Sequence, residues 1–138
     1  MAKSVLKILI IEDSPERQGI LKNLFREHAW ILANTAKRAN TLVSVYDFDI
    51  ISLDYDLDGE ERGDVVAEFI KRSRNVNAKV LVHSMNVQGV ALIQKHLPNS
   101  IAIPISKITR DNKTFKRFRD SINKDIDIDW ARVFKRSE

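Results

Sequence analysis

The sequence predicts an α/β fold in which five parallel strands form one doubly wound sheet with helices on both faces. Five short runs of apolar, mostly β-branched residues alternate with segments that have a helical period. Continuous apolar runs are typical of strands that are buried on both faces of a parallel sheet. Because strand and helix alternate along the whole chain, right-handed crossovers should keep all the strands parallel.

The strands are predicted where the apolar runs occur. The first run, residues 5–11, is almost continuously apolar and β-branched, and the second run is the weakest. Each run is followed by residues of helical period, so each is expected to end where its crossover begins. The predicted strands are residues 5–11, 29–33, 48–53, 79–82 and 101–105.

One helix is predicted after each strand, from apolar residues three or four positions apart that share one helical face. Ser14 followed by Pro15 is typical of an N-cap with proline at the first helical position, and Asp64 and Asp111 are predicted to cap later helices. The apolar faces contain Ile20, Leu21, Leu24 and Phe25; Leu42, Val43 and Tyr46; Val65, Val66, Phe69 and Ile70; Val90, Ile93 and Leu97; and Phe115, Phe118 and Ile122.

The length of 138 residues is enough for one buried core. Residues 1–124 are predicted to form a single domain, and residues 125–138 a C-terminal extension. Within the extension, residues 125–130 alternate polar and apolar residues as a strand would. They follow the last predicted helix, so the role of the extension stays open.

Composition excludes several classes of protein. The chain has no cysteine, which rules out disulfides and thiolate metal sites. No apolar run approaches the ~18 residues of a membrane span, and the first residues lack the cleavage site of a signal peptide. We therefore expect a cytoplasmic protein that does not associate with membranes.

The formal net charge is +4, and the positive residues are densest near the C-terminus. Such a cluster could bind nucleic acid or an acidic partner, or it could be the solvated face of a helix followed by a frayed tail. The second interpretation is favoured, because aspartates interrupt the basic run and it contains no recognised binding motif. The basic residues are Lys113, Lys116, Arg117, Arg119, Lys124, Arg132, Lys135 and Arg136.

Polar residues follow four of the predicted strands directly. In an open parallel sheet, ligands bind outside the carboxyl ends of the strands, near the point where the strand order reverses. These residues are therefore the candidates for a functional site. They are Glu12 and Asp13 after the first strand, Asp54 and Asp56 after the third, His83 and Ser84 after the fourth, and Ser106 and Lys107 after the fifth.

The carboxylates at these strand ends would repel one another and raise their own pKa values unless a cation neutralised them. Mg²⁺ is the expected cation, because it prefers oxygen ligands and is commonly held by a few carboxylates together with a phosphate. Glu12, Asp13 and Asp54 are the predicted ligands. Asp56 either binds the metal or orients water on it, and Asp58 with Gly59 is interpreted as a turn.

This order of residues resembles the receiver domain of two-component response regulators, over residues 5–124. The resemblance implies a flavodoxin-like sheet of order 2-1-3-4-5 and a phosphorelay switch in the cytoplasm. It implies Asp54 as the phosphoacceptor, Ser84 as the hydroxyl that follows the acyl phosphate and Lys107 as the cation that pairs with it. Mg²⁺ would be held by Glu12, Asp13, Asp54 and the backbone carbonyl of Asp56.

The same resemblance implies two protein partners. One is a sensor kinase or other phosphodonor, and the other is a downstream protein that binds the face formed by the fourth helix, the fifth strand and the helix around Phe118. The sequence departs from the receiver pattern in two places. Lys107 is followed by Ile108 instead of proline, with Pro104 inside the predicted strand, and His83 precedes the hydroxyl residue.

The stretches LDYDLDG and VHSMNVQGV resemble a divergent lineage, the cyclic-phosphate-processing receiver domain, which has an Asp-x-Asp-Leu and a His-Ser-x-Asn motif. That lineage is associated with phosphate groups of nucleotide or RNA metabolism. The resemblance therefore implies an alternative function, a metal-dependent enzyme that processes cyclic or terminal phosphates with His83 as general acid or base. A third possibility is a receiver-like protein that binds a partner without chemistry.

Two side chains have alternative interpretations at this stage. His83 is either a hydrogen-bonded structural residue or a proton-transfer group beside the carboxylates. Arg17, one turn into the first predicted helix, is within reach of a phosphate but is interpreted as a solvent-facing charge.

Overall fold

Five parallel strands form a single sheet in the order β2-β1-β3-β4-β5, which confirms the predicted fold class and strand order. The structure is a computed structural model and describes residues 4–135. Arg136 and the rest of the predicted extension after Lys135 lie outside the described residues. The strands are β1 (Lys7–Ile11), β2 (Ala29–Ala33), β3 (Ile50–Leu53), β4 (Lys79–Val82) and β5 (Ile101–Ala102).

The helices cover both faces of this sheet. Five of them correspond to the predicted helices, and two short ones were not predicted. The helices are α1 (Pro15–Leu24), α2 (Ala36–Val45), α3 (Gly63–Lys71), α4 (Val87–His96), α5 (Ile105–Ile108), α6 (Asn112–Lys124) and α7 (Trp130–Phe134). The predicted helix around Phe118 is therefore α6. None of the helices between residues 4 and 135 is long and apolar enough to cross a membrane.

A separate apolar core lies on each face of the sheet, because alternate residues of a strand point to opposite faces. Leu9 and Ile51 point toward α2, α3 and α4. Ile8, Ile50 and Leu81 point toward α1, α5, α6 and α7. Both faces of the central strands are thus buried under helices, which is why their sequences are continuously apolar.

Two of the three predicted helix caps are confirmed. The side chain of Ser14 accepts a hydrogen bond from the amide of Arg17, and that of Asp111 accepts one from Thr114. The prediction for Asp64 is wrong, since α3 begins after Arg62 and Asp64 lies in its first turn. An acidic residue is favourable there because it faces the positive end of the helix dipole.

The predicted fifth strand is too long. β5 ends at Ala102, and Ile105 is already the first residue of α5. Pro104 causes this change, because it has no N–H to donate to a neighbouring strand and its carbonyl accepts hydrogen bonds from Lys107 and Ile108. The chain therefore turns into a short helix where the sequence pattern suggested further strand.

The first part of the predicted extension packs into the core instead of forming a strand. The Trp130 side chain is fully buried and meets the Phe118 ring edge to face, with ring centroids 5.6 Å apart. The ammonium of Lys79 lies 4.2 Å from the Trp130 ring and donates hydrogen bonds to the carbonyls of Ile126 and Ile128. Lys79 thus fixes the chain between α6 and α7 to the start of β4.

Lys79→Met is expected to lower the free energy of unfolding by about 2 kcal/mol, because two backbone carbonyls lose a charged donor. Amide hydrogen exchange in α7 should become faster than in the wild type. Urea unfolding and hydrogen exchange measure these two effects. Lys37→Met, at an exposed lysine of α2, is the matched control, and an equal effect of both substitutions would contradict the proposed role of Lys79.

Candidate functional site

Glu12, Asp54 and His83 lie side by side at the carboxyl edge of the sheet. β1, β3 and β4 end in register, and each of these residues follows its strand directly. The amide of Asp54 donates to the carbonyl of Ile11 at 3.1 Å, and the amide of His83 donates to that of Leu53 at 3.1 Å. One ligand atom of each of the three side chains lies within 4.8 Å of the other two, and all three residues are buried.

Glu12 is fully buried, and both of its carboxylate oxygens have partners. Oε1 accepts a hydrogen bond from His83 Nε2 at 2.8 Å, and Oε2 accepts bonds from the Ser14 amide and from Arg17 Nε, each at 3.0 Å. Burial alone would raise the pKa of Glu12, but the contacts with His83, Ser14 and Arg17 outweigh it and lower the pKa to about 2. Glu12 is therefore an ionised group inside the protein.

Asp54 is only 4% exposed, and its carboxylate has fewer hydrogen-bond donors to offset its burial than the carboxylate of Glu12 has. Its Oδ1 accepts a hydrogen bond from the Tyr55 amide at 2.8 Å, and the Ser84 hydroxyl lies close enough to lower the pKa of the carboxylate. Burial is the main cause that raises the pKa of Asp54, and the charge of Glu12 adds to it, while His83, Ser84 and Tyr55 oppose it. The site therefore favours an additional positive charge next to Asp54.

His83 joins Glu12 to a serine inside the sheet. The His83 side chain is fully buried, and its Nδ1 lies 2.8 Å from Ser52 Oγ. Both ring nitrogens are thus engaged, so His83 holds Glu12 and does not face an open ligand position. Sequence reasoning did not select Ser52. The available signal was a polar residue in an apolar strand, two positions before Asp54 and therefore on the same face.

The interpretation of Arg17 as a solvent-facing charge is wrong. Its side chain is 35% exposed and lies between three carboxylates. Arg17 Nε is 3.0 Å from Glu12 Oε2, and Nη2 is 3.7 Å from both Asp13 Oδ1 and Asp54 Oδ2. The spacing of Asp13 and Arg17, four residues apart at the start of a helix, was a signal for part of this arrangement.

Lys107 is exposed on α5, and the structure does not bring it into the carboxylate cluster. Across residues 4–135, no hydrogen bond or ion pair joins its ammonium to Asp54. The reason is the early end of β5, because Pro104 starts a helix before the chain reaches Lys107. The role that the receiver resemblance gives to Lys107 therefore stays a prediction without a contact in this structure.

The residues after β4 connect the site to α4. Ser84 is buried, and its hydroxyl accepts a hydrogen bond from the Asn86 amide at 3.1 Å. The side chain of Asn86 caps α4 by accepting from the Gly89 amide at 2.9 Å, and it also donates to Asp56 Oδ2 at 3.4 Å. The His-Ser-x-Asn stretch therefore connects the loop after β3 to the first turn of α4.

The donor set fits a divalent cation that prefers oxygen. Glu12 and Asp54 are in the buried cluster, and Asp13 lies at its half-exposed edge, within reach of Arg17. Partial burial and the carboxylates of Glu12 and Asp58 raise the pKa of Asp13. The side chain of Asp56 is exposed and contacts Asn86. Accumulated negative charge of this kind is what Mg²⁺ or Mn²⁺ neutralises in proteins.

Comparison with known proteins gives a family match. The family model for the cyclic-phosphate processing receiver domain matches residues 7–99. No curated protein matches the chain. Solved structures of receiver domains also match, and at their low sequence identities the likeness shows the shared fold alone.

Three of these structures illustrate the likeness. The phosphorylated cyanobacterial phytochrome response regulator RcpA is 18% identical, with a TM-score of 0.69 over 86% of this chain and 96% of that one. The response regulator TrrA from Thermotoga maritima, in complex with Mg²⁺-BeF, is 19% identical, with a TM-score of 0.63 over 81% and 98%. The receiver domain of a sensor histidine kinase from Pseudomonas aeruginosa PAO1, with magnesium in its active-site cleft, is 14% identical, with a TM-score of 0.63 over 88% and 100%.

Proposed function

The chain belongs to the family of cyclic-phosphate processing receiver domains, and on that premise we propose that Asp54 accepts a phosphoryl group and makes the protein a phosphorylation-dependent switch. One observation carries this proposal. Asp54 is a buried carboxylate at the end of β3 whose Oδ1 is fixed by the Tyr55 amide, which leaves Oδ2 as the oxygen toward the neighbouring charges. A held carboxylate with one available oxygen is suited to in-line attack.

The transfer step is a displacement at phosphorus. Asp54 Oδ2 forms a bond to the phosphorus atom of the donor, and the bond from phosphorus to the donor's leaving atom breaks, with the electron pair going to the leaving group. The product is an acyl phosphate on Asp54. Two anions approach each other in this step, so positive charge at the site is needed to lower the barrier.

Mg²⁺, when bound, would supply much of that charge and orient the phosphoryl oxygens. We assign it to Glu12, Asp13 and Asp54, with the backbone carbonyl of Asp56 as the fourth proposed protein ligand. Of these, Glu12 and Asp54 are already within one cluster. Glu12 is positioned by His83 and the Ser14 amide.

Ser84 is the proposed connection between the acyl phosphate and the protein surface. Its hydroxyl contacts Asp54 and also accepts from the Asn86 amide, at the cap of α4. A hydroxyl that turns toward new phosphoryl oxygens would therefore move the start of α4. Met85, Val87 and Leu92 are exposed apolar residues in this region, which supports a downstream protein partner on the surface of α4, β5 and α6.

Incubation with a small phosphodonor and Mg²⁺, followed by intact mass measurement, tests the proposal. The wild type is expected to gain the mass of one phosphoryl group, and Asp54→Ala is expected to gain none. Asp58→Ala, at the exposed aspartate of the following turn, is the matched control and should gain the same mass as the wild type. No gain on the wild type, or an equal gain on Asp54→Ala, would refute the proposed role.

A second candidate function is hydrolysis of a cyclic phosphate, and the hydrogen-bonded chain Glu12–His83–Ser52 favours it. In this step a water oxygen bonds to phosphorus and gives up one proton, one ring P–O bond breaks, and the leaving oxygen takes up one proton. Both ring nitrogens of His83 are engaged, by Ser52 and by Glu12, so His83 would act by positioning the Glu12 carboxylate. Incubation with 2′,3′-cyclic nucleotides and several divalent metals is the assay, and absence of turnover would exclude this function.

A further inference from the structure

Among the lysines and arginines of residues 4–135, only Arg17 of α1 has an ion pair with Asp54, the proposed phosphoacceptor. We propose that Arg17 pairs with the phosphoryl group on Asp54, in the role that the receiver resemblance gives to Lys107, and that it competes with a divalent cation for the carboxylates before transfer. This inference rests on the proposed phosphoacceptor role of Asp54. It adds a residue that the family resemblance does not assign.

The start of α1 holds Arg17 at the site. Ser14 caps the helix by accepting from the Arg17 amide at 3.4 Å, and the side chain of Gln18 donates to the Glu12 carbonyl at 2.7 Å. The Nε atom of Arg17 donates to Glu12 Oε2 at 3.0 Å. These contacts fix the base of the guanidinium and leave its outer nitrogens directed toward the other carboxylates.

The outer nitrogen Nη2 faces the oxygen of Asp54 that is available for transfer. Oδ1 accepts from the Tyr55 amide at 2.8 Å, whereas Oδ2 lies 3.7 Å from Nη2. A phosphoryl group bonded to Oδ2 would therefore extend toward the guanidinium. Its planar fork of donors matches the geometry of phosphate oxygens, and the fork stays charged at all relevant pH values.

Charge explains why Arg17 would change partners on transfer. Before transfer, Arg17 is shared among the carboxylates of Glu12, Asp13 and Asp54. Transfer replaces the single negative charge of Asp54 by a phosphoryl group with more charge and more acceptor oxygens, which attracts the guanidinium more strongly. A divalent cation needs the same carboxylates, so it must compete with the guanidinium for them and is repelled by its charge.

Four variants test this inference, and each is measured in two different assays. Arg17→Gln removes the cation, Arg17→Lys keeps the charge without the fork, and Lys107→Gln removes the cation that the resemblance assigns. Arg26→Gln, at an exposed arginine just beyond α1, is the matched control. Calorimetric titration with Mg²⁺ alone measures metal affinity, and mass measurement after incubation with phosphodonor and Mg²⁺ measures the rate of phosphoryl uptake.

Arg17→Gln is expected to bind Mg²⁺ about threefold to tenfold more tightly than the wild type, because a partly exposed competing charge is gone. Its phosphoryl uptake should be slower by at least about tenfold, because a charge-assisted contact to the phosphoryl group is lost. Lys107→Gln and Arg26→Gln should resemble the wild type in both assays. Arg17→Lys should unfold at the wild-type temperature and take up phosphoryl groups at an intermediate rate, which separates the pairing defect from a folding defect.

The outcomes distinguish this inference from the proposed function. If the wild type is phosphorylated, Lys107→Gln is slow and Arg17→Gln has the wild-type rate, the proposed role of Arg17 is overturned. The proposed phosphoacceptor role of Asp54 would then still stand. Unchanged Mg²⁺ affinity in Arg17→Gln would overturn the competition with metal. A wild type that takes up no phosphoryl group would refute the proposed function itself, whatever the Mg²⁺ titrations show.

Discussion

Gly63→Ala is expected to lower the free energy of unfolding by about 3 kcal/mol, and Gly19→Ala is expected to raise it by about 0.5–1 kcal/mol. A β-carbon at position 63 would lie 2.2 Å from the backbone oxygen of Asp54 and 2.8 Å from the Cα of Tyr55. These are backbone atoms, and the Gly63 amide donates to the Tyr55 carbonyl at 2.8 Å, so neither side can move away easily.

Gly19 is the matched control, because the same substitution meets no obstacle there. It lies on the exposed side of α1, and apart from the adjoining residues and the backbone of α1 itself, no atom is within 4 Å of an added β-carbon. Alanine in a helix interior loses less backbone entropy on folding than glycine does, which gives the opposite sign. Urea unfolding of both variants measures the contrast, and equal effects would show that the packing of α3 against Asp54 is not tight.

The close approach at Gly63 also has a consequence for the site. The first turn of α3 rests on the peptide that carries Asp54, so any Gly63→Ala protein that folds should have that peptide displaced. Phosphoryl uptake by the folded fraction should then be lower than that of Gly19→Ala. Comparison of the two rates at equal concentrations of folded protein measures this effect separately from stability.

The sequence was sufficient to predict the sheet and the residues at its edge. Strands buried on both faces have continuous apolar runs, and the topology of a parallel sheet brings residues such as Glu12 and Asp54 together wherever the helices lie. This reasoning needs only local patterns and one topological rule. It therefore succeeded for the parallel sheet and for the position of Glu12 and Asp54, whereas the strand order followed from the resemblance to receiver domains.

The errors concern features that depend on long-range contacts. Arg17 was interpreted as solvent-facing because a helical charge usually is, and only the folded arrangement shows it next to carboxylates from two strands. The alternation in residues 125–130 left the role of the extension open, because Trp130 fills a space beside Phe118 that no local pattern describes. The apolar run around Pro104 predicts a strand to residue 105, but β5 ends at Ala102 and Pro104 precedes α5 directly.

His83→Leu is expected to lower the free energy of unfolding at neutral pH by about 3 kcal/mol, because it removes a hydrogen-bond donor from a buried carboxylate. Glu12 would keep its contacts with Arg17 and the Ser14 amide, but Oε1 would lose the donor at 2.8 Å. The Ser52 hydroxyl would also lose its partner inside the sheet. Urea unfolding over a range of pH values measures the loss.

The pH dependence identifies the charge of Glu12 as the cause. The pKa of Glu12 is lowered from 4.5 to about 2 in the folded protein, so its contribution to stability is fully present above pH 4.5 and is lost as the pH falls toward 2. The difference between the wild type and His83→Leu should therefore shrink over this range. In a Glu12→Gln background, where the charge is absent at every pH, His83→Leu should cost clearly less and show little of this dependence. An equal cost in both backgrounds would mean that His83 stabilises the fold only by packing and by its contact with Ser52, and that its contact with Glu12 does not hold the carboxylate in place for a cation.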